Sequence, residues 1–152
     1  MQTFLPYRDF EKSAKCLDYR RLGKQRVEAK QILNVLLGRT NKKGWRNHPC
    51  VTMWRDYELA LQEYYNMILK EWIRRGYKNN MEFEYTSYYK HGILRVYQEP
   101  YTNPYYCKPE WLNKTFCASH RSNLLRKDPE WYGRFEWEEP NNLPYIWPIQ
   151  SA

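Results

Sequence analysis

Apolar residues recur every three or four positions in three stretches of the chain, and these stretches predict most of the fold. In the first, Phe10 to Leu37, the residues Ala14, Leu17, Val27, Ile32, Val35 and Leu36 form a stripe, while Lys12, Lys15, Arg20, Arg21, Lys24 and Lys30 lie mostly off it. Asp9 is placed to cap this helix and Gly23 to kink it. The second, Val51 to Arg75, has Trp54, Tyr57, Leu61, Tyr65, Ile68 and Trp72 at helical spacing and Gly76 as its stop. At 1.5 Å per residue it predicts a helix roughly 37 Å long. The third runs from Thr115 to Lys127 with basic residues along one side, and Pro109 to Asn113 predicts a short helix before it.

The connecting segments are predicted from their breakers. Met1 to Tyr7 is extended, because Pro6 pushes Leu5 out of helical geometry. Gly38 to Pro49 is a cationic loop. Lys78 to Cys107 is rich in tyrosine and without sustained period, broken by Pro100 and Pro104, with one short helix or strand around Gly92 to Gln98. The tail, with Pro140, Pro144 and Pro148, forms an extended cover. The expectation is an all-α fold, one compact domain over residues 1–152 with about three main helices and extended, aromatic-rich loops and tail.

Charge narrows the partner. Lys and Arg outnumber Asp and Glu by 25 to 17 in 152 residues, a net charge of +8, which favours a polyanion, nucleic acid first and an anionic membrane surface second. No apolar run reaches the ~20 residues that span a bilayer, and no basic segment with an apolar stretch opens the chain. A cytoplasmic protein is expected, nucleoid-associated when on DNA, with a viral source also open. Cys16, Cys50, Cys107 and Cys117 contain no C-x-x-C pair, so reduced thiols are expected. The 15 Tyr, 7 Trp and 5 Phe are mainly core material, with some rings free to stack on bases.

The densest polar cluster is Asp18-Tyr-Arg-Arg-Leu-Gly-Lys-Gln-Arg-Val-Glu28. Arg20, Arg21, Lys24 and Arg26 present donors to phosphates within about two helical turns, against the bland alternative of a solvated face. Glu28 follows Lys24 at the i,i+4 spacing of a salt bridge, the favoured reading from spacing alone, or it is a carboxylate for proton transfer. Arg46, Asn47 and His48 form a second cluster and His120, Arg121 and Asn123 a third; each is a phosphate clamp or a local anchor. His48, Cys50, Cys107, Cys117 and His120 match no standard zinc module, and no metal or other cofactor is expected.

These blocks resemble a known family. Val51-Thr-Met-Trp-Arg-Asp56, Leu69-Lys-Glu-Trp72 and Arg74-Arg-Gly-Tyr77 resemble the central helix of pyrimidine-dimer DNA glycosylases of the phage endonuclease V type. Asp18-Tyr-Arg20 with Leu22 and Arg26-Val27 resembles the first catalytic helix, and Pro129-Glu-Trp-Tyr132 the aromatic C-terminal segment. The F-L-P-Y start, R-L-G-K-Q-R-V-E, G-W-R-N-H-P and S-H-R-S-N-L-L-R-K-D-P-E are similar to short bacterial and viral members.

The resemblance implies a monomeric, cofactor-free DNA-repair enzyme that binds damaged duplex DNA, kinks it and displaces a nucleotide. It further implies glycosylase and abasic-site lyase chemistry. An N-terminal α-amine attacks C1′ of the damaged nucleotide, forms a Schiff base with the opened sugar, and β-elimination breaks the strand. An α-amine suits this, since its ordinary pKa of about 7.7 to 8.0 leaves a neutral fraction near pH 7. Carried over, the nucleophile is the amine of Met1 and the phosphate ligands are Arg20, Arg21, Lys24, Arg26, Arg46 and Arg121, with Asn47, His48, His120 and Asn123 in the DNA cleft. Two positions depart from the pattern. Gln2 replaces a small residue, and Arg21 stands where the catalytic glutamate follows the Tyr-Arg pair, so Glu28 takes that role with Asp18 second. Two rivals stay open: Lys24 as the nucleophilic amine, its ammonium disfavoured by surrounding cations, and a non-catalytic module for distorted or modified DNA.

Overall fold

Asp9 and Asp18 divide the first apolar stretch into two helices. The computed structural model describes residues 1–41, 44–84, 87–90, 93–96 and 108–148, the last two short pieces before 108 by backbone alone. Asp9 caps α1 (Phe10–Cys16), its Oδ1 accepting from the Lys12 N–H at 2.8 Å, and Asp18 caps α2 (Tyr19–Leu36) through the Arg21 N–H. The single helix expected from Phe10 to Leu37 therefore breaks at Leu17, whose backbone is extended. An Asp side chain satisfies amide donors that a new helix start would leave orphaned, which makes the break favourable. Gly23 is not a kink. It lies inside α2 where the ring of Trp72 packs close, and a Cβ added there would sit 2.9 Å from that ring.

The second stretch also divides. Pro49–Thr52 is the one-turn helix α3, and Glu58–Arg74 is α4. Asp56, at φ 71°, turns the chain between them, so Trp54 and Tyr57 belong to the connection rather than to the long helix expected from Val51. Gly76, at φ 85°, ends α4 as its position predicts. The third helix, α5 (Lys114–Lys127), is capped by Asn113, and Pro109 to Asn113 makes a turn instead of the expected helix. α6 (Pro129–Tyr132) and a 3-10 turn (Gly133–Phe135) follow. β1 (Ser87–Lys90) and β2 (Ile93–Val96) form an antiparallel hairpin, with Ser87 opposite Val96; β2 is the element expected near Gly92 to Gln98. Pro100, Pro104 and Cys107 lie outside the described residues.

The fold is all-α in its core, with α1 and α2 packed on α4. α4 is buried all round from Ala60 to Leu69, as befits a central helix. Much of the aromatic content is inside: Trp54, Tyr64, Tyr65, Phe116 and Tyr132 are essentially fully buried. Their polar tips find partners, Trp54 Nε1 donating to Thr3 Oγ1 at 3.0 Å and Tyr64 Oη to the Phe4 carbonyl at 2.9 Å. Cys16, Cys50 and Cys117 are free and buried, and burial pushes the first two thiols up to about 12 and the third to about 11. Glu84 closes the far end of α2. It pairs with Lys30 and, through two bonds of 2.9 and 3.0 Å, with Arg39, and it accepts from Gln62 at 3.1 Å. Burial alone would raise this carboxyl, but those donors outweigh it and hold it at about 2. Among the described residues no helix is long and apolar enough to cross a membrane.

Candidate active site

The first five residues are not a free arm but an extended thread through the core. Thr3 and Leu5 are wholly buried, and Gln2 and Phe4 nearly so. The thread's backbone is satisfied mainly by side chains. Gln25 of α2 accepts from the Phe4 N–H at 3.0 Å and donates to the Gln2 carbonyl at 2.7 Å; Tyr64 donates to the Phe4 carbonyl at 2.9 Å; His120 Nδ1 accepts from the Leu5 N–H at 3.1 Å; Arg121 donates to the Pro6 carbonyl at 2.7 Å. An orphaned buried amide costs about as much as a lost hydrogen bond, so these residues dictate where the chain begins.

That thread delivers the N-terminus to Glu28. The backbone N–H of Gln2 donates to Glu28 Oε2 at 3.0 Å, and Gln25 Nε2 lies 3.4 Å from the same oxygen. The Met1 α-amine is three covalent bonds from that nitrogen. Oε1 of Glu28 faces Lys24 Nζ at 3.6 Å, the salt bridge that spacing favoured. Glu28 is 9% exposed, whereas the Lys24 side chain is 73% exposed. His48 caps α3, its Nδ1 accepting from the Cys50 N–H at 3.0 Å. Partial burial lowers its pKa, the positive N-terminus lowers it further, and Glu28 pulls it back up, so all three share one neighbourhood. With Nδ1 occupied as acceptor, neutral His48 carries its proton on Nε2 and offers a donor.

Helical phase sorts the remaining cations. At 100° per residue, Arg21, Lys24, Glu28 and Gln31 fall on one stripe of α2, with Arg20 beside it. Arg20 is exposed, and Arg21 is half-buried and ion-paired with Asp18 at 3.2 Å. Asp18 is thus a cap and pair partner, held also by Tyr132, and is not available as the second carboxylate. Arg26 points about 160° round the helix from Glu28. Its guanidinium stacks on Trp72 at 4.2 Å and donates to Asn79 at 2.9 Å, so it does not share the Glu28 face. Arg46 and Asn47 are exposed in the loop beside His48.

The third cluster is structural. His120 is 1% exposed and burial depresses its pKa to about 3, leaving a neutral ring bonded to the thread. Asn123 is wholly buried and donates to the Ser119 and Leu143 carbonyls at 2.8 and 3.0 Å. Arg121 pairs with Glu139 and holds Pro6. Burial occupies His120 and Asn123, and its ion pair and bond to Pro6 occupy Arg121.

Set against known proteins, the model of the pyrimidine dimer DNA glycosylase family matches residues 1–85 of the 152. The chain belongs to that family. No curated protein and no solved structure matches it. The family is one of DNA glycosylases, so the chain is an enzyme and DNA its substrate. The matched region holds the buried thread, α2 with Glu28, and α3 and α4.

Two residues beside the candidate site escaped the sequence reading. Gln25 orders the N-terminal thread, and its signal was present: a glutamine on the apolar face of a helix needs buried partners. Lys127, at the end of α5, lies 5.9 Å from the Phe4 ring and 6.0 Å from that of Tyr145. Burial lowers its pKa, and Arg21, Arg126 and Lys24 lower it further. This gathers four cations from two helices around Lys127, a juxtaposition that no local spacing encodes.

Proposed function

We propose that the chain is a pyrimidine-dimer-type DNA glycosylase with abasic-site lyase activity, working through an imine on its N-terminal nitrogen. The observation that carries this reading is the 3.0 Å contact between Glu28 and the Gln2 nitrogen, which sets the start of the chain against a nearly buried carboxylate. The neutral α-amine attacks C1′ of the damaged nucleotide, and the glycosidic bond breaks with its electron pair leaving on the base. The sugar ring opens to give an iminium. Loss of a C2′ proton then expels the 3′ phosphate by β-elimination, and water releases the imine. Glu28 stabilises the cationic intermediate and accepts protons; its low exposure strengthens both effects. His48 donates from Nε2, and Arg20, Arg21, Lys24 and Arg46 bind phosphates, joined by Arg126 and Lys127 across the site.

The nitrogen Glu28 contacts is that of residue 2, so the reacting amine is that of Met1, or that of Gln2 in a chain from which Met1 has been removed. A lysine nucleophile is the second reading, and the depressed pKa of Lys127 favours that lysine over the exposed, ion-paired Lys24.

Nicking of ultraviolet-irradiated and abasic duplexes tests the proposal. Glu28→Gln is expected to lower the rate at least about 100-fold, the range for a positioned acid or base, while leaving DNA affinity within a few-fold. Full activity in that variant overturns the assignment. Salt-dependent binding without any strand product makes the chain a recognition module instead.

A further inference from the structure

Residues 140–147 run along α5 as a strap tied down by the helix's polar side chains. Ser122 Oγ donates to the Pro140 carbonyl and accepts from the Leu143 N–H at 2.9 Å, Asn123 donates to the Leu143 carbonyl at 3.0 Å, and Ser119 Oγ accepts from the Ile146 N–H at 3.4 Å. In an extended segment alternate side chains share a face. Tyr145 and Trp147 are accordingly half-buried, while Ile146 between them is 38% exposed. Each inward ring meets an imidazole: Tyr145 lies edge-on to His120 at 5.3 Å, and Trp147 edge-on to His48 at 6.2 Å. Resting on the reading above, we infer that Trp147 is a positioning residue of the reaction, fixing the His48 ring beside Glu28 and the start of the chain.

The geometry of His48 carries this inference. Its Nδ1 is pinned to the Cys50 N–H at 3.0 Å, a bond that sets one nitrogen but leaves the ring free to pivot about it. The rings of Trp45, tilted 58° at 5.6 Å, and Trp147, at 83°, remove that freedom and hold Nε2 in one direction. A proton donor contributes only when it is held within hydrogen-bond reach of the group it serves. The charged groups that act on His48 are the N-terminus and Glu28, the two parts of the proposed chemistry. Of the two imidazoles under the strap, His120 is 1% exposed and bonded to the thread, so only the half-buried His48 can reach a substrate. His48 lies within the family-matched residues 1–85 and Trp147 outside them, so the far end of the chain completes a site that the matched region begins.

The test measures nicking of abasic duplex and the NMR titration of the His48 ring, both in the intact chain. Trp147→Ala is expected to lower kcat about ten- to 100-fold with KM within about twofold, since a misplacement of about 1 Å costs up to that much. Its His48 titration is expected to move up toward the ordinary value of about 6.5, because a covering ring is gone. Trp147→Phe keeps an aromatic ring and should restore both readouts. Ile146→Ala, on the outward side of the same strap, should change neither. Unchanged kcat in Trp147→Ala overturns the inference, as does a fall that Ile146→Ala reproduces or that leaves the His48 titration unmoved. An unmodified chain that nicks no damaged duplex overturns the lyase reading and the role of Trp147 with it, whereas nicking that survives at full rate in Trp147→Ala overturns that role alone.

Discussion

Replacing Gln25 by Leu should release the start of the chain. The carboxamide of Gln25 is wholly buried and bridges four groups: it accepts from the Phe4 N–H and from Tyr64 Oη, and donates to the Gln2 carbonyl and toward Glu28 Oε2. Leucine fills similar space but leaves the Phe4 N–H and the Gln2 C=O buried without partners; Tyr64 keeps its bond to the Phe4 carbonyl. Each orphaned group costs about 1 to 3 kcal/mol, and the added apolar contact offsets part of this, so a loss of about 3 kcal/mol is expected. Against a typical total of about 5 to 15 kcal/mol the variant still folds. Urea unfolding measures the loss, and hydrogen exchange at the Phe4 amide should accelerate more than exchange in the middle of α4. Nicking should fall further than stability, because the amine loses its register against Glu28. A loss under about 1 kcal/mol with unchanged Phe4 exchange refutes the reasoning. Gln25→Glu sharpens the test: it keeps the oxygen that accepts from the Phe4 N–H and Tyr64 but sets a second carboxylate against Glu28 and the Gln2 carbonyl, so it should be more destabilising at pH 7 than at pH 4.

Other expectations follow from single features. Glu63 is 3% exposed, its Oε1 has no partner among the described residues, and burial raises its pKa to about 7. Because the folded-state pKa lies above the unfolded one, stability is greatest below about pH 4.5 and falls as pH rises to about 7, by about 3 kcal/mol from this group; Glu63→Met should abolish that slope in urea unfolding at several pH values. Gly23→Ala gains up to about 1 kcal/mol of helix propensity but drives a methyl into Trp72, so a net loss of about 1 to 2 kcal/mol is expected in thermal unfolding. Arg20→Ala should reduce the slope of log affinity against log salt by about one, leaving the folded protein as stable as before.

The sequence disclosed periodic features well and long-range ones poorly. α5, the Gly76 stop, the Asp9 cap and the extended thread followed from local chemistry, and all are present. The breaks at Leu17 and Asp56 did not, because the apolar period runs across both; what separates the helices is capping by Asp18 and one left-handed residue. At the site, the Lys24–Glu28 pair was legible from i,i+4 spacing. The burial of His120 and Asn123 was not legible: a polar residue beside an arginine looks the same in sequence whether it faces solvent or holds a buried strand. Lys127 comes near the Phe4 ring only because α5 packs beside the chain's first residues.

The most direct measurement is the position of the covalent adduct. The protein is incubated with an abasic duplex under borohydride, digested, and the reduced adduct is located by mass spectrometry. An adduct on the N-terminal nitrogen, lost or greatly reduced in Glu28→Gln, is the predicted result. An adduct on Lys24 or Lys127, or no adduct on a chain whose terminal amine is free, contradicts the proposed chemistry.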